Sequence, residues 1–178
     1  MEEWVPRTRL GKMVKEGKIT DIDQILDRGI RILEPEIVDV LLPNLEIEYL
    51  PVGQLKGPRG GGRRTIFRPT ARKTAEGSRL SYGVMVVVGN GDGYVGLGYG
   101  KSREREVARQ KAIRNAKLNI IKISRGCGSW ECACGEPHSI PFRIEGKCGS
   151  VRVIFLPAPK GVGLAINDTA KVFFRLAG

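Results

Sequence analysis

With 178 residues, 41% of them hydrophobic, the chain is long enough to bury a core as one domain or two small ones. Its formal net charge of +11 favours polyanionic partners, nucleic acid ahead of an anionic membrane surface. No apolar run approaches the roughly 20 residues of a membrane span. The opening Met1-Glu2-Glu3 lacks the basic and apolar regions of a signal peptide, so a cytosolic protein is expected.

Residues 1 to 50 hold seven Lys/Arg against eleven Asp/Glu, and residues 51 to 178 carry a net +15, which puts polyanion binding in the later part. The first fifty residues read as short helices. One runs from Thr8 to Glu16, and Thr20 caps a second over Asp21 to Asp27 with Gly29 as its stop. Pro35 opens a third ahead of Ile37, Val38, Leu41 and Leu42. Such short helices need a surface to pack on, and the acidic segment could dock on basic neighbours. "LEIEYL", between Pro43 and Pro51, is a short strand, and "VGQLKGPRGGGRR" has linker composition.

From Arg63 to Gly100 the pattern changes to strands. "RTIFR" and "RLSYGVMVVVGN" are read as two strands separated by the basic tip "PTARKTAEGS", and "YVGLGYG" as a third, joined through the turn Asn90 to Gly93. Ser102 is placed to cap a helix reaching about Leu118, with Glu104 and Glu106 favouring its N-terminus. Val107, Ala108, Ala112, Ile113 and Ala116 recur on it at helical spacing, and the alanines allow close packing on a sheet. "NIIKIS" is a short strand, and a cysteine-bearing loop from Gly126 to Pro137 follows. "IPFRIEG" and "SVRVIFLPA" are a further strand pair before the loop "PKGVGLAIND" and a last helix, "DTAKVFFRLAG".

Two glycine loops invite a nucleotide reading. Gly91-x-Gly93-x-x-Gly96 matches the dinucleotide fingerprint by letter, but its third glycine falls in a strand rather than at a helix start. A phosphate loop ending at Gly100-Lys101-Ser102 would need glycine where Val95 stands. A hairpin turn followed by strand glycines that admit a close backbone or RNA is therefore expected. The second loop, Pro159 to Leu164, resembles the phosphate loop of the galactokinase and homoserine kinase type, yet no matching base or second nucleotide motif accompanies it. A turn packed on a neighbouring protein, or one resting an RNA phosphate on its amides, is the alternative.

Between residues 56 and 79, Lys56, Arg59, Arg63, Arg64, Arg68, Arg72, Lys73 and Arg79 face only Glu76. Arginine forks bind phosphate bidentately and stack on bases, so this stretch suits RNA better than a diffuse membrane field. Cys127, Cys132, Cys134 and Cys148 could close a tetrahedral zinc site, although the spacing is not a pair of C-x-x-C knuckles. Reduced buried thiols and a disulfide remain alternatives. His138, between Pro137 and Pro141, is expected to make a local hydrogen bond rather than a metal bond. Trp130 could stack on a base or pack over the cysteine loop.

"RLSYGVMVVVGNGDGYVGLGYGKSREREVARQKAIRNAKLNI" followed by "GSVRVIFLPAPKGVGLAINDTAKVFFRLAG" resembles the ribosomal protein S5 family of the small subunit. "WVPRTRLGKMVKEGKI" and "PHSIPFRIEGKCGS" are similar to its archaeal and eukaryotic branch, whose eukaryotic member is called S2. The resemblance implies an α+β protein in two parts. The first is a double-stranded-RNA-binding-like domain of a three-stranded sheet plus helix, at about 64 to 123. The second is a small α+β domain of the left-handed β-α-β type, and that type explains the kinase-like look of the Pro159 loop without implying kinase activity.

The expected organisation is a helical N-terminal extension over 1–55, the RNA-binding-like domain with its basic arm over 56–125, a cysteine-containing loop over 126–139, and the second domain over 140–178. The family runs on past the position of Gly178, so this last domain is expected to be incomplete. The resemblance further implies no enzymatic activity, cytoplasmic location in the ribosome, binding to small-subunit rRNA, contacts with ribosomal proteins S4 and S8, a part in the mRNA entry channel, and support of translational accuracy. Expected RNA contacts are Arg63, Arg64, Arg68, Arg72, Lys73, Arg79, Lys101, Arg103 and Arg105. Gly161, Gly163 and Lys171 match the region facing S4. The cysteine cluster is not a general feature of the family, so zinc is not carried over from it. A nucleotide-using enzyme and a free zinc-dependent RNA-binding regulator are the competing classes.

Overall fold

The computed structural model describes residues 4–57 and 60–178; Met1 to Glu3 and Arg59 of the basic stretch lie outside the described residues. Helix α1, Arg9–Lys15, begins as expected, with the Thr8 hydroxyl accepting the Gly11 amide at 3.0 Å. Helix α2, Asp23–Leu26, is shorter than expected, and Thr20 does not cap it. The chain before it stays non-helical while Ile19 and Ile22 reach the core, and the helix starts only after Ile22. Gly29 stops it with a positive φ, and the Ile30 amide closes back on the Ile25 carbonyl at 3.1 Å. Pro35 opens α3, Pro35–Leu41.

The sheet has five strands rather than three. β5, Gly77–Gly89, pairs along one edge with β6, Tyr94–Ser102, which in turn pairs with β7, Ile120–Lys122. Its other edge is shared: β1, Glu46–Leu50, pairs with Met85 to Gly89, and β4, Arg68–Thr74, pairs with Gly77 to Gly83. All of these pairings are antiparallel.

Two stretches differ from their sequence reading. The expected linker is a hairpin of β2, Gly53–Gly57, and β3, Gly60–Thr65, in which a side chain at Gly62 would strike the Leu55 carbonyl. "RTIFR" is not one strand: Arg64 and Thr65 end β3 and Arg68 opens β4, while Ile66 and Phe67 leave the ladder to pack on the core. The "tip" after it is then β4 and the start of β5, turning at Ala75 and Glu76. Ser102 is the last residue of β6 and caps nothing; Glu104 is the N-cap of α4, Arg105–Leu118.

Gly96, Gly98 and Gly100 share one face of β6, and Ala108, Ala112 and Ala116 share one face of α4. A Cβ on any of these glycines would come closer than 3.0 Å to the helix backbone at those alanines. Two residues of strand advance about 6.8 Å and four residues of helix about 6.0 Å, so the two stripes stay nearly in step. Val84, Val86 and Val88 of β5 complete this core. The opposite face, with Val87 and Val95, receives Leu176 and Ala177 of α5, Asp168–Ala177. Before α5 comes a hairpin of β8, Ile144–Cys148, and β9, Val151–Phe155, which packs through Phe155 on Phe174 with ring centroids 5.0 Å apart.

The three N-terminal helices form a second cluster of Val14, Ile19, Ile22, Ile25, Ile32, Ile37 and Val38 that closes on Ile120. Some of their acidic residues pair with this chain's own cations. Asp23 accepts from the Tyr94 hydroxyl and from Lys122 Nζ, each at 2.6 Å, and Asp39 pairs with Lys117 at 2.6 Å. The Lys122 hydrogen bond holds the Asp23 carboxyl below its usual range. Burial, then the Asp23 carboxylate, pushes the Tyr94 hydroxyl up to about 12. Burial also pushes the Glu34 carboxyl up, but the Thr8 and Arg7 amides, the Thr8 hydroxyl and the Trp4 indole outweigh it and hold Glu34 low.

Gly98→Ala therefore costs about 3 kcal/mol by overpacking, lowering the melting midpoint by about 10 °C. Gly146→Ala, where a Cβ meets nothing within 4 Å, changes stability by less than about 0.5 kcal/mol. Calorimetric melting of both variants checks this; equal melting temperatures would refute the packing argument.

Candidate nucleic-acid interface

The Asn90 to Gly93 turn has no amides to offer a nucleotide. The Gly91 and Gly93 amides donate to the Leu176 and Ala177 carbonyls at 2.9 and 2.8 Å, and those of Asp92 and Tyr94 donate to the Asn90 side chain. Gly96 lies inside β6, as the spacing implied. In the second glycine loop the Lys160 ammonium pairs with Glu136 and its amide donates to the Cys132 sulfur. Beside that loop lies a groove of about 460 Å³ lined mainly by Ile140, Phe155, Leu164, Ile166 and Phe174. Its described lining residues include no Asp or Glu side chain, and His138 is the imidazole among them.

Arg63 and Arg64 lie on β3 and Arg68, Arg72 and Lys73 on β4, all exposed and with no hydrogen bond or ion pair among the described residues. Arg72 stands directly across the ladder from Arg79 of β5. Two like charges opposite one another oppose pairing, and Arg79 finds only Glu76, at 3.8 Å. The β4–β5 hairpin thus carries a concentrated cationic charge with almost no local compensation.

Lys101 and Arg103 line a shallow hollow with Ser81, Ser102, Glu104, Val107 and Lys111 where β6 passes into α4. Lys111 was legible only as a surface residue of the helix. Arg105 is not free in the same way: its guanidinium lies 4.9 Å from the Tyr82 ring centroid and 5.5 Å from that of Phe67. Arg109 covers the same Phe67 ring at 5.0 Å and Tyr49 at 5.8 Å. These stacked pairs could have been suspected only by knowing that Phe67 leaves its strand.

Gly161 and Gly163 sit exposed in their turn with φ of 98° and 70°, and Lys171 lies 3.6 Å from Asp168 on α5. The cysteine loop is closed at its neck by a bridge between Gly126 and Ser139. Inside it Cys127, Cys132, Cys134 and His138 bring their ligand atoms within 4.8 Å of one another. Cys148 does not join them. It ends β8 opposite Val151, and the tight turn at Gly149 keeps it on the hairpin. His138 takes its place, with Nε2 3.6 Å from Cys132 Sγ. The Lys160 amide, then the Cys134 amide, lowers the Cys132 thiol to about 6. Trp130 is 91% exposed and does not pack over the loop.

The pattern of the ribosomal protein S5 N-terminal domain matches residues 63–124, and that of the S5 C-terminal domain matches residues 146–178. The chain is 57% identical over its whole length to small ribosomal subunit protein uS5 of Nanoarchaeum equitans, covering 76% of that protein. The chain belongs to the ribosomal protein S5 family. Identity to the uS5 proteins of Staphylothermus marinus and Methanocaldococcus jannaschii is 57% and 54%, over all of this chain and 76% and 75% of theirs. These relatives are named as ribosomal proteins, not enzymes. The α+β architecture is that of the S5 family, and no described helix is long and apolar enough to cross a membrane.

Because Arg105 is stacked and Arg72 is not, their alanine variants differ. Arg105→Ala lowers stability by about 1 kcal/mol through lost cation–π contact, whereas Arg72→Ala leaves it within about 0.5 kcal/mol. Urea unfolding of the two side by side reads the difference.

Proposed function

We propose that this S5-family chain is a structural constituent of the small ribosomal subunit that holds rRNA through its cationic arm. The observation that carries the reading is the β4–β5 hairpin, whose directly opposed Arg72 and Arg79 have only Glu76 for compensation. A polyanion relieves that repulsion, and an RNA backbone supplies a continuous row of phosphates. Arg63, Arg64, Arg68 and Lys73 extend the surface, and Lys101, Arg103 and Lys111 offer a second phosphate position at the start of α4. Arg105 keeps the aromatic platform of Phe67 and Tyr82 in place beside it.

In this reading residues 1–55 are an extension that docks on the chain's own sheet, 56–125 the RNA-binding domain, 126–139 a tethering loop and 140–178 the partner-facing domain. The exposed turn at Gly161 and Gly163, with Lys171, meets a neighbouring protein of the S4 family, and S8 is a second neighbour. Cytoplasmic location, a place at the mRNA entry channel and a contribution to decoding accuracy belong to the same proposal.

Neutralising Arg64, Arg68, Arg72 and Lys73 one at a time reduces the slope of log affinity against log salt by about 1 each. Filter binding of the full chain to small-subunit rRNA across a salt series measures it. An unchanged slope after replacing all four would move the RNA surface elsewhere. In a density gradient of cell extract the tagged wild-type chain comigrates with the small subunit; a chain found mostly in the light fractions would refute the ribosomal reading.

A further inference from the structure

The cysteine loop is short of the forces that normally order a loop. Its fourteen residues, 126 to 139, are exposed or half-buried throughout, and none belongs to any of the three apolar cores. Apolar burial therefore does little to offset the conformational entropy of fixing it. What it does have is convergence. Cys132 Sγ lies 3.3 Å from Cys134 Sγ, Cys134 Sγ 3.7 Å from Cys127 Sγ, and Cys132 Sγ 3.6 Å from His138 Nε2.

Four ligands around a tetrahedral zinc ion, with Zn–S near 2.3 Å and Zn–N near 2.0 Å, stand about 3.5 to 3.8 Å apart. We propose that Cys127, Cys132, Cys134 and His138 form a structural zinc site, with Cys148 excluded from it. Three soft thiolates and one imidazole suit zinc, and four protein ligands close the shell with no open position for catalysis. On binding, three thiol protons leave for solvent and His138 coordinates through Nε2 with its proton on Nδ1.

The surroundings fit a metal-bearing loop. Backbone amides of Lys160 and Cys134 point at the Cys132 sulfur and that of Glu136 at the Cys134 sulfur, the outer-shell donors that steady metal-bound thiolates. One consequence reaches beyond the loop. The Lys160 amide and the bond from the Ala158 amide to Ser139 Oγ, at 3.2 Å, tie the Pro159 to Leu164 turn to the loop, so the metal would also steady that turn. The inference rests on ligand geometry alone and not on the RNA reading.

The test is elemental mass spectrometry and thiol titration on the full chain, purified without chelator under reducing, oxygen-free conditions. The wild type and Cys148→Ser retain one zinc per chain. Cys132→Ser and His138→Ala bind added zinc at least about 100-fold more weakly, since losing even an outer-shell partner costs 10- to 100-fold. A wild type with no zinc and four free thiols overturns the proposal, as does a Cys132–Cys134 disulfide. Loss of zinc from Cys148→Ser, or its retention at full affinity by His138→Ala, overturns the ligand set. If a ligand variant fails to fold, the wild type and Cys148→Ser still decide the question.

Discussion

The fold is organised by the close approach of one backbone to another. Along β6 three alternate positions have no room for a Cβ, because the backbone of α4 at Ala108, Ala112 and Ala116 occupies that space. Once the helix lies this near the strand, no large side chain can stand between them, and the core must be finished by Val84, Val86 and Val88 of the neighbouring strand. The long residues of α4 are then forced outward. Lys111 reaches the hollow at the helix start beside Arg103 of the preceding segment, Arg105 and Arg109 lie across aromatic rings, and Lys117 turns to Asp39 of the N-terminal helices. A small-residue interface inside thus produces a cationic surface outside.

The same sheet is anchored from its other face by the end of α5. Its last carbonyls take the amides of the Gly91 and Gly93 turn, so the turn between β5 and β6 is a structural clasp. Arg125 adds to the clasp by reaching both Asp92 and the Gly178 carbonyl. The N-terminal helices close the remaining side through Ile120 and the Asp23, Tyr94 and Lys122 group. Acidic residues that looked available for basic neighbours are therefore partly used within the chain.

Much of this could be read from the sequence where one periodic signal acted alone. The alanine spacing of α4, the strand "RLSYGVMVVVGN" and the turn Asn90 to Gly93 were all legible, because each depends on local geometry that short-range pattern encodes. The errors lie where tertiary packing overrode composition. Glycines between 57 and 62 suggested a linker, yet Gly62 is needed for close strand pairing. Phe67 had strand neighbours and strand propensity, but its ring is held under Arg105 and Arg109, which are distant in sequence. Thr20 and Ser102 were plausible caps by residue type, and both lost to the burial or pairing of adjacent residues. For the cysteines, spacing could count ligands but could not choose among five. The neck bridge at Gly126 and Ser139 and the turn at Gly149 separate His138 from Cys148, and neither is a property of the ligands themselves.

The fate of the two glycine loops bears on how this chain can recognise an anion. A nucleotide loop works by presenting unpaired amides to one compact phosphate group, and its selectivity comes from that fixed cradle. Here the amides of the first turn are taken, by backbone carbonyls and by the Asn90 side chain, and in the second loop the Lys160 amide is directed to the Cys132 sulfur. The positive charge left for ligands sits on long side chains along extended strands and at a helix start. Such charges reach outward, are separated along a strand rather than converging, and keep their rotamer freedom until something binds. They suit a long polyanion met at many points far better than a small one met at a single site. Arginine predominates among them, which adds bidentate geometry to charge.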